Sequence, residues 1–146
     1  MHNQRENLSD RLLEFAANTI LLCEKLNRSP AQRNIAGQLV RSATSSGANY
    51  QEACAAESRA DFVHKMQIVL KELRESFYWL RLLAKTKLVS DERLKPELQE
   101  AEELIKIFTK SIVTAKSNRK YFCNLHSAIC IRLCEQLDSP AQFFYV

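Results

Sequence analysis

Apolar residues recur at steps of three and four along most of the first 117 residues, and this periodicity limits the possible folds more than any other feature. Such a spacing places side chains on one face of an α-helix, whereas a half-buried strand alternates at every second residue. Only two Gly and three Pro occur in 146 residues, so few positions interrupt the pattern. The sequence therefore predicts an all-α protein, and its length suits one domain with a single core.

Four segments carry the helical pattern, and capping residues separate them. Ser29 followed by Pro30 predicts an N-cap and a first helical residue, and Ser58 with Asp61 predicts another N-cap. The first two expected helices cover about 9–27 and about 31–57. The third runs from the cap at Ser58 to the turn TKLVSDERLKPE. The fourth begins between residues 91 and 97 and ends at about 116. Short connections favour an antiparallel up-down four-helix bundle over residues 1–117. Residues 118–146 are predicted to form a short C-terminal extension with one helix at about Leu125–Leu137.

The stretch RSATSSGANYQEA, from Arg41 to Ala53, consists mainly of small and polar residues. It keeps both its apolar and its polar face in helical register through Gly47, which a linker would have no reason to do. A Gly inside a helix costs about 1 kcal/mol relative to Ala, so a close neighbour is expected at Gly47. The sequence therefore predicts one continuous second helix whose small face lets other helices approach.

A polar stripe follows the opposite face of this second helix. Its members are Arg41, Ser45, Asn49 and Glu52. Arg41 and Glu52 are separated by ~16 Å of helical rise, so they cannot bind each other. Each is expected to find a partner on another helix, on another subunit or on a ligand. The stripe is interpreted as an assembly element, with RNA contact as the alternative.

The positive charge is concentrated in the third helical segment, where residues 58–86 hold six basic and three acidic side chains. Five of these residues share one face: Lys71, Arg74, Tyr78, Arg81 and Lys85. They extend over ~21 Å of helix axis, a row that can neutralise several phosphates while Tyr78 stacks on an unpaired base. The alternative is a solvated face that pairs with acidic residues of the fourth helix, such as Glu97 or Glu100.

A second apolar strip lies elsewhere on the third helix and is accompanied by two carboxylates. The strip and its neighbours are Ile68, Glu72, Glu75, Trp79 and Leu82. A helix that is apolar on two sides is usually buried on both, once in its own domain and once against another chain. The sequence therefore predicts an oligomer interface at this strip.

The run from Gln38 to Leu83 resembles a family of four-helix bundles encoded in intervening sequences of bacterial 23S rRNA genes. The matching motifs are Arg-Ser-x-x-Ser-x-x-x-Asn-x-x-Glu from Arg41 to Glu52, DFVHK and KELRESFYWLRLL. The likeness extends more weakly over about 8–117, near where family members usually end. It implies an up-down bundle that assembles as a ring, with a pentamer the expected form, and it brings no catalytic residues. The family is also similar to the accessory protein of diversity-generating retroelements, a basic pentameric bundle that binds nucleic acid.

No pattern in the sequence predicts an enzyme, a metal site or a cofactor. Phosphate-binding loops and nucleophile elbows are absent, and His64 has no paired nucleophile. Four residues of the C-terminal segment suggest zinc at first sight: Cys123, His126, Cys130 and Cys134. On one straight helix the outer two are ~16 Å apart in rise, too far for all four to surround one ion.

These observations lead to a functional prediction. The chain is expected to be a non-catalytic homo-oligomer that binds RNA or another nucleic acid through the third helix. The alternative is a protein-binding scaffold with no role in nucleic-acid binding. The N-terminus shows no basic-then-apolar leader and no apolar run approaches the ~20 residues of a membrane span, so a cytoplasmic protein without a membrane partner is expected.

Overall fold

The computed structural model describes residues 8–117, which form four α-helices joined by short connections. The helices are α1 (Leu8–Cys23), α2 (Pro30–Cys54), α3 (Arg59–Thr86) and α4 (Asp91–Ser117). Each helix packs against its neighbours in sequence, and a smaller contact between α1 and α4 completes the bundle. The predicted all-α four-helix bundle is confirmed. The predicted extension over 118–146, including its helix, lies outside the described residues.

The helix boundaries follow local chemistry that the sequence had indicated. The Ser29 hydroxyl accepts a hydrogen bond from the Gln32 amide at 3.2 Å, and the Ser58 hydroxyl accepts one from the Asp61 amide at 3.1 Å. Both predicted N-caps are therefore confirmed. α3 ends where Lys87 adopts a left-handed backbone with φ 54°, which turns the chain towards α4.

Two predicted helix ends are wrong. α1 ends at Cys23 and not at about Asn27, and α2 ends at Cys54 and not at about Glu57. In both cases a buried residue, Leu26 or Ala56, follows the end of the helix. Their amides donate to the carbonyls of Cys23 and Ala53 three residues earlier, so a turn continues the apolar spacing after the helix has stopped.

The core lies between the four helices and contains the apolar faces that the periodicity predicted. Each helix contributes at least one fully buried leucine to it: Leu12, Leu39, Leu73 and Leu104. The ring of Tyr50 packs edge-on against Phe108, with centroids 5.6 Å apart. Such pairs add about 0.5–1.5 kcal/mol beyond the burial of their area.

The contact between α2 and α3 contains buried hydroxyls as well as apolar groups. Ser42 and Ser76 are fully buried, and their oxygens lie 2.8 Å apart. Their hydroxyls also lie within hydrogen-bonding distance of carbonyls in their own helices, those of Leu39 and Glu72. Side chains this small let the two helices approach closely, as the composition of the second helix predicted. The antiparallel course is visible in the pairs Ser42–Ser76 and Glu52–Lys65, whose numbers rise on α2 and fall on α3.

The surroundings of Gly47 show how closely α1 packs on α2. A Cβ atom added at Gly47 would lie 3.9 Å from the Cβ atom of Leu12, an ordinary van der Waals contact. The expected neighbour is therefore present, but it leaves room for a methyl group. Gly47→Ala is expected to raise the free energy of unfolding by about 0.5–1 kcal/mol, measured by urea denaturation, because Ala has the higher helix propensity.

Gly37→Ala provides the matched control, because an added Cβ there has no neighbour within 4 Å. Both variants are expected to gain similar stability. A loss of stability in Gly47→Ala beside a gain in Gly37→Ala would contradict the packing of α1 against α2 described above.

Candidate nucleic-acid and assembly surfaces

The five residues predicted to contact nucleic acid form an exposed row along α3. We call Lys71, Arg74, Tyr78, Arg81 and Lys85 the α3 basic row. All five are exposed, and Tyr78 retains 58% of its accessible surface. None of the four cations forms an ion pair with an acidic group of residues 8–117. Their charges therefore face solvent.

The sequence-based alternative was a solvated face that pairs with Glu97 or Glu100 of α4. The row is solvated, but neither pair is present. The carboxylate of Glu100 accepts two hydrogen bonds from the guanidinium of Arg11, at 2.9 and 3.0 Å. Glu97 is buried, with 8% of its surface exposed. Both carboxylates thus lie on the side of α4 that faces α1 and the core, away from the α3 basic row.

The environment of Glu97 disfavours its charged form. Burial raises the pKa of its carboxyl to about 7, and the nearby carboxylates of Glu100 and Glu14 act in the same direction. Glu97 therefore binds or releases its proton near neutral pH.

The α3 basic row has different surroundings at its two ends. Tyr78 packs edge-on against Trp79, with ring centroids 5.0 Å apart, so two aromatic rings lie at the middle of the row. The guanidinium of Arg81 lies 5.8 Å from the centroid of Phe77. Arg81 also lines a groove of about 560 Å³ between α3 and α4, whose other charged lining residues are Asp91, Glu92, Lys95 and Glu102. Asp91 is paired with Lys87 and Glu102 with Lys106, so most of the negative charge near Arg81 is offset.

Arg41 finds its partners on α3 of the same chain. Its guanidinium pairs with Glu75 and lies 3.6 Å from the Glu72 carboxylate, and its Nε donates to the Gln38 side chain at 3.3 Å. The hydrogen bond from Arg41 holds the pKa of the Glu75 carboxyl below its usual value. Of the three partners that the sequence left open, another helix is the one observed.

The rest of the polar stripe is also paired within the chain. Glu52 pairs with Lys65 of α3, and the Asn49 amide donates to the carbonyl and hydroxyl of Ser45 at 2.9 and 3.2 Å. These contacts leave the stripe half-buried or exposed along the outer side of the α2–α3 contact.

The polar stripe of α2 and the second apolar strip of α3 therefore lie side by side and form one surface, which we call the α2–α3 surface. The sequence pattern had predicted two separate features. Trp79 Nε1 donates to the Glu75 carboxylate at 3.4 Å and so links the aromatic ring to the Arg41 pair. Ile68, Trp79 and Leu82 are each half-buried. Glu72 contributes little to this α2–α3 surface, because it is 8% exposed and one of its carboxylate oxygens, Oε2, has no hydrogen-bond partner. Spacing alone could not show that this carboxylate lies beneath Arg41.

The thiol of Cys23, a buried residue of α1, is not activated. Burial raises the pKa of the Cys23 thiol to about 11, so the thiol stays protonated at neutral pH and is a poor nucleophile. Within residues 8–117 no cluster of His, Cys, Asp and Glu could hold a metal ion. The four Cys and His residues considered for zinc, from Cys123 to Cys134, lie outside the described residues. No described helix is long and apolar enough to cross a bilayer.

Comparisons with known proteins support the sequence resemblance. The family model described as 23S rRNA-intervening sequence protein matches residues 7–110. A crystal structure from Bacteroides thetaiotaomicron, of a protein with unknown function from the S23 ribosomal protein family, is similar with 37% identity and a TM-score of 0.67. The match covers 72% of this chain and 97% of that one, and neither description names a catalytic activity. A search of curated proteins finds no match. The relation to the accessory protein of retroelements stays a prediction.

Proposed function

We propose that this chain, which belongs to the 23S rRNA-intervening sequence protein family, is a non-catalytic protein that binds RNA through the α3 basic row. One observation carries the proposal. Four cations on one exposed face form no ion pair within residues 8–117, whereas Arg11, Arg41 and Lys65 are held by carboxylates. A free cation can bind a phosphate without first breaking a bond inside the protein.

The dimensions of the row suit a nucleic-acid backbone. Four cations over ~21 Å can contact several successive phosphates, and release of counterions from those phosphates favours binding. Tyr78, at the middle of the row, offers an exposed ring beside Trp79. Stacking of an unpaired base on such a ring contributes about 1–3 kcal/mol, which favours single-stranded or looped RNA over a duplex.

We further propose that the protein self-associates through the α2–α3 surface, in a ring of five subunits as the family resemblance implies. Half-buried Ile68, Trp79 and Leu82 supply apolar area there, and the Arg41 pair supplies polar contacts beside it. A ring would repeat the α3 basic row in every subunit, and several rows acting on one RNA bind far more tightly than one. We propose that the protein binds RNA in the cytoplasm.

A second candidate function is a protein-binding scaffold with no role in RNA binding. The observation in its favour is the same half-buried apolar strip, which a partner protein could cover in place of a second subunit. Binding of such a partner would depend little on salt.

The salt dependence of RNA binding tests the proposed function. The logarithm of the association constant for a labelled looped RNA is expected to fall with the logarithm of salt concentration, with a slope of about −3 per row of four cations. Nuclease-treated full-length protein should be titrated by fluorescence anisotropy, with duplex DNA as the competitor. Absence of binding at low salt would contradict the proposal and leave the scaffold.

A further inference from the structure

The outer side of α1 carries an apolar strip that residues 8–117 leave uncovered. It consists of Leu13, Ala17, Ile20 and Leu21, which we call the α1 outer strip. Leu13 is 70% exposed, Leu21 57% and Ile20 42%, while the opposite face of α1 is buried in the core. Three large apolar side chains on one helix face form a surface that another segment can cover.

The border of this strip is acidic at the start of α1. Asp10 and Glu14 are exposed there, and the only cation of α1, Arg11, is held by Glu100 on the side facing α4. Beyond the end of the helix Glu24 is followed by two exposed cations, Lys25 and Arg28, so the negative charge is concentrated at the start of the strip. The start of the strip therefore fits a segment that carries positive charge.

We propose that residues 118–137 of the same chain cover the α1 outer strip, with residues 125–137 as an amphipathic helix. Leucine or isoleucine recurs in this segment at steps of four residues: Leu125, Ile129, Leu133 and Leu137. The segment has three cations, Arg119, Lys120 and Arg132, and a single carboxylate, Glu135. The apolar face of residues 125–137 matches the strip, and these residues hold one cation and one carboxylate. The positive charge that matches the acidic start of α1 belongs to Arg119 and Lys120, which precede them.

The lengths of the segments agree with this arrangement. α1 and α4 are antiparallel and Arg11 pairs with Glu100, so Leu8 lies level with about residue 103 of α4. α4 continues to Ser117, which places its end ~21 Å beyond the start of α1. Residues 118–124 span up to ~23 Å when extended, enough to return to the start of α1. A helix over 125–137 is ~20 Å long, close to the ~24 Å of α1.

Photo-crosslinking in the full-length protein tests the proposal. Benzoylphenylalanine replaces Leu13, and as a control it replaces Tyr78 on α3. The protein is an equal mixture of nitrogen-15-labelled and unlabelled chains, and crosslinked peptides are identified by mass spectrometry. We expect crosslinks from position 13 to peptides of residues 118–137, both peptides carrying the same label, and none to that segment from position 78. Mixed labels, which would indicate a second copy on the strip, or no crosslink to 118–137 would overturn the proposal.

Hydrogen exchange provides an independent readout. The double variant Leu13→Glu with Ile20→Glu places charge on the α1 outer strip without touching the core. Amide protection of residues 125–137 is expected to fall at least tenfold, while protection of α2, α3 and α4 stays unchanged. Tyr78→Glu should leave residues 125–137 protected. Unchanged protection of 125–137 in the double variant, or none in the wild type, would contradict docking.

Discussion

Replacing Glu97 with Gln is expected to raise the free energy of unfolding at pH 8 by about 2 kcal/mol. Burial beside Glu100 and Glu14 raises the pKa of the Glu97 carboxyl from 4.5 to about 7, so at pH 8 the folded protein holds a charge that its surroundings oppose. A shift of this size corresponds to ~3.4 kcal/mol at ~1.36 kcal/mol per unit, and partial contact with water lowers the expected value. Gln has a similar shape without the charge. Urea denaturation at pH 8 measures the difference.

The pH dependence of stability follows from the same raised pKa. Between pH 4.5 and about 7 the unfolded chain releases the Glu97 proton while the folded chain keeps it, so this carboxyl lowers stability as pH rises through that window. Above about pH 7 both states are ionised and the loss is complete. Glu97→Gln should therefore remove a decline that persists in Glu57→Gln, a variant of an exposed carboxylate. Equal pH profiles for the two variants would contradict the buried position of Glu97.

The fold was predictable because its signals are local. Helical periodicity assigns a residue to a face from its own neighbours, and a Ser before a helix caps it through a contact three residues away. The caps at Ser29 and Ser58 and the buried faces around Leu39 and Leu73 were therefore found from sequence. The ends of α1 and α2 were missed, because Leu26 and Ala56 extend the apolar spacing into a turn.

The pairings between helices were not predictable, because they depend on how two helices are aligned along their axes. Arg41 was left with three types of partner, and only the register of α2 against α3 places it beside Glu75. The same register joins the polar stripe and the apolar strip into one surface. The sequence allowed Glu100 to pair with a cation of the α3 basic row, but the alignment of α4 with α1 places it beside Arg11, with which it forms an ion pair.

Two signals were present in the sequence and were missed. Glu97 occupies a place in the apolar repeat of α4, between Leu94 and Ala101 at steps of three and four, and this spacing marks it as a core position. Likewise, Leu13, Ile20 and Leu21 show that α1, like α3, is apolar on two sides. The strip of α1 is shorter than the main apolar stripe of the same helix, so the pattern predicts it less clearly.

Reversing the four charges of the α3 basic row is expected to weaken RNA binding by roughly 100-fold or more at about 0.1 M salt. The variant carries Lys71→Glu, Arg74→Glu, Arg81→Glu and Lys85→Glu. Each change removes an attraction to a phosphate and adds a repulsion. All four side chains are exposed and form no ion pair within residues 8–117, so the bundle should fold normally. Fluorescence anisotropy with a labelled looped RNA measures the loss.

A control variant separates the position of the charges from their number. It reverses four other exposed cations that form no ion pair within residues 8–117: Lys25, Arg28, Arg93 and Lys116. Both variants carry the same formal charge, since each replaces four cations with Glu. Circular dichroism and light scattering would establish that helicity and oligomer mass are those of the wild type.

The most direct test of RNA binding by α3 is a titration of one labelled RNA with these two variants and the wild type, side by side at the same salt concentration. The proposed function predicts that the row variant loses binding by roughly 100-fold or more, while the control variant loses much less. Equal losses in the two variants would show that only net charge matters. Binding by the row variant as tight as that of the wild type would contradict RNA binding through α3.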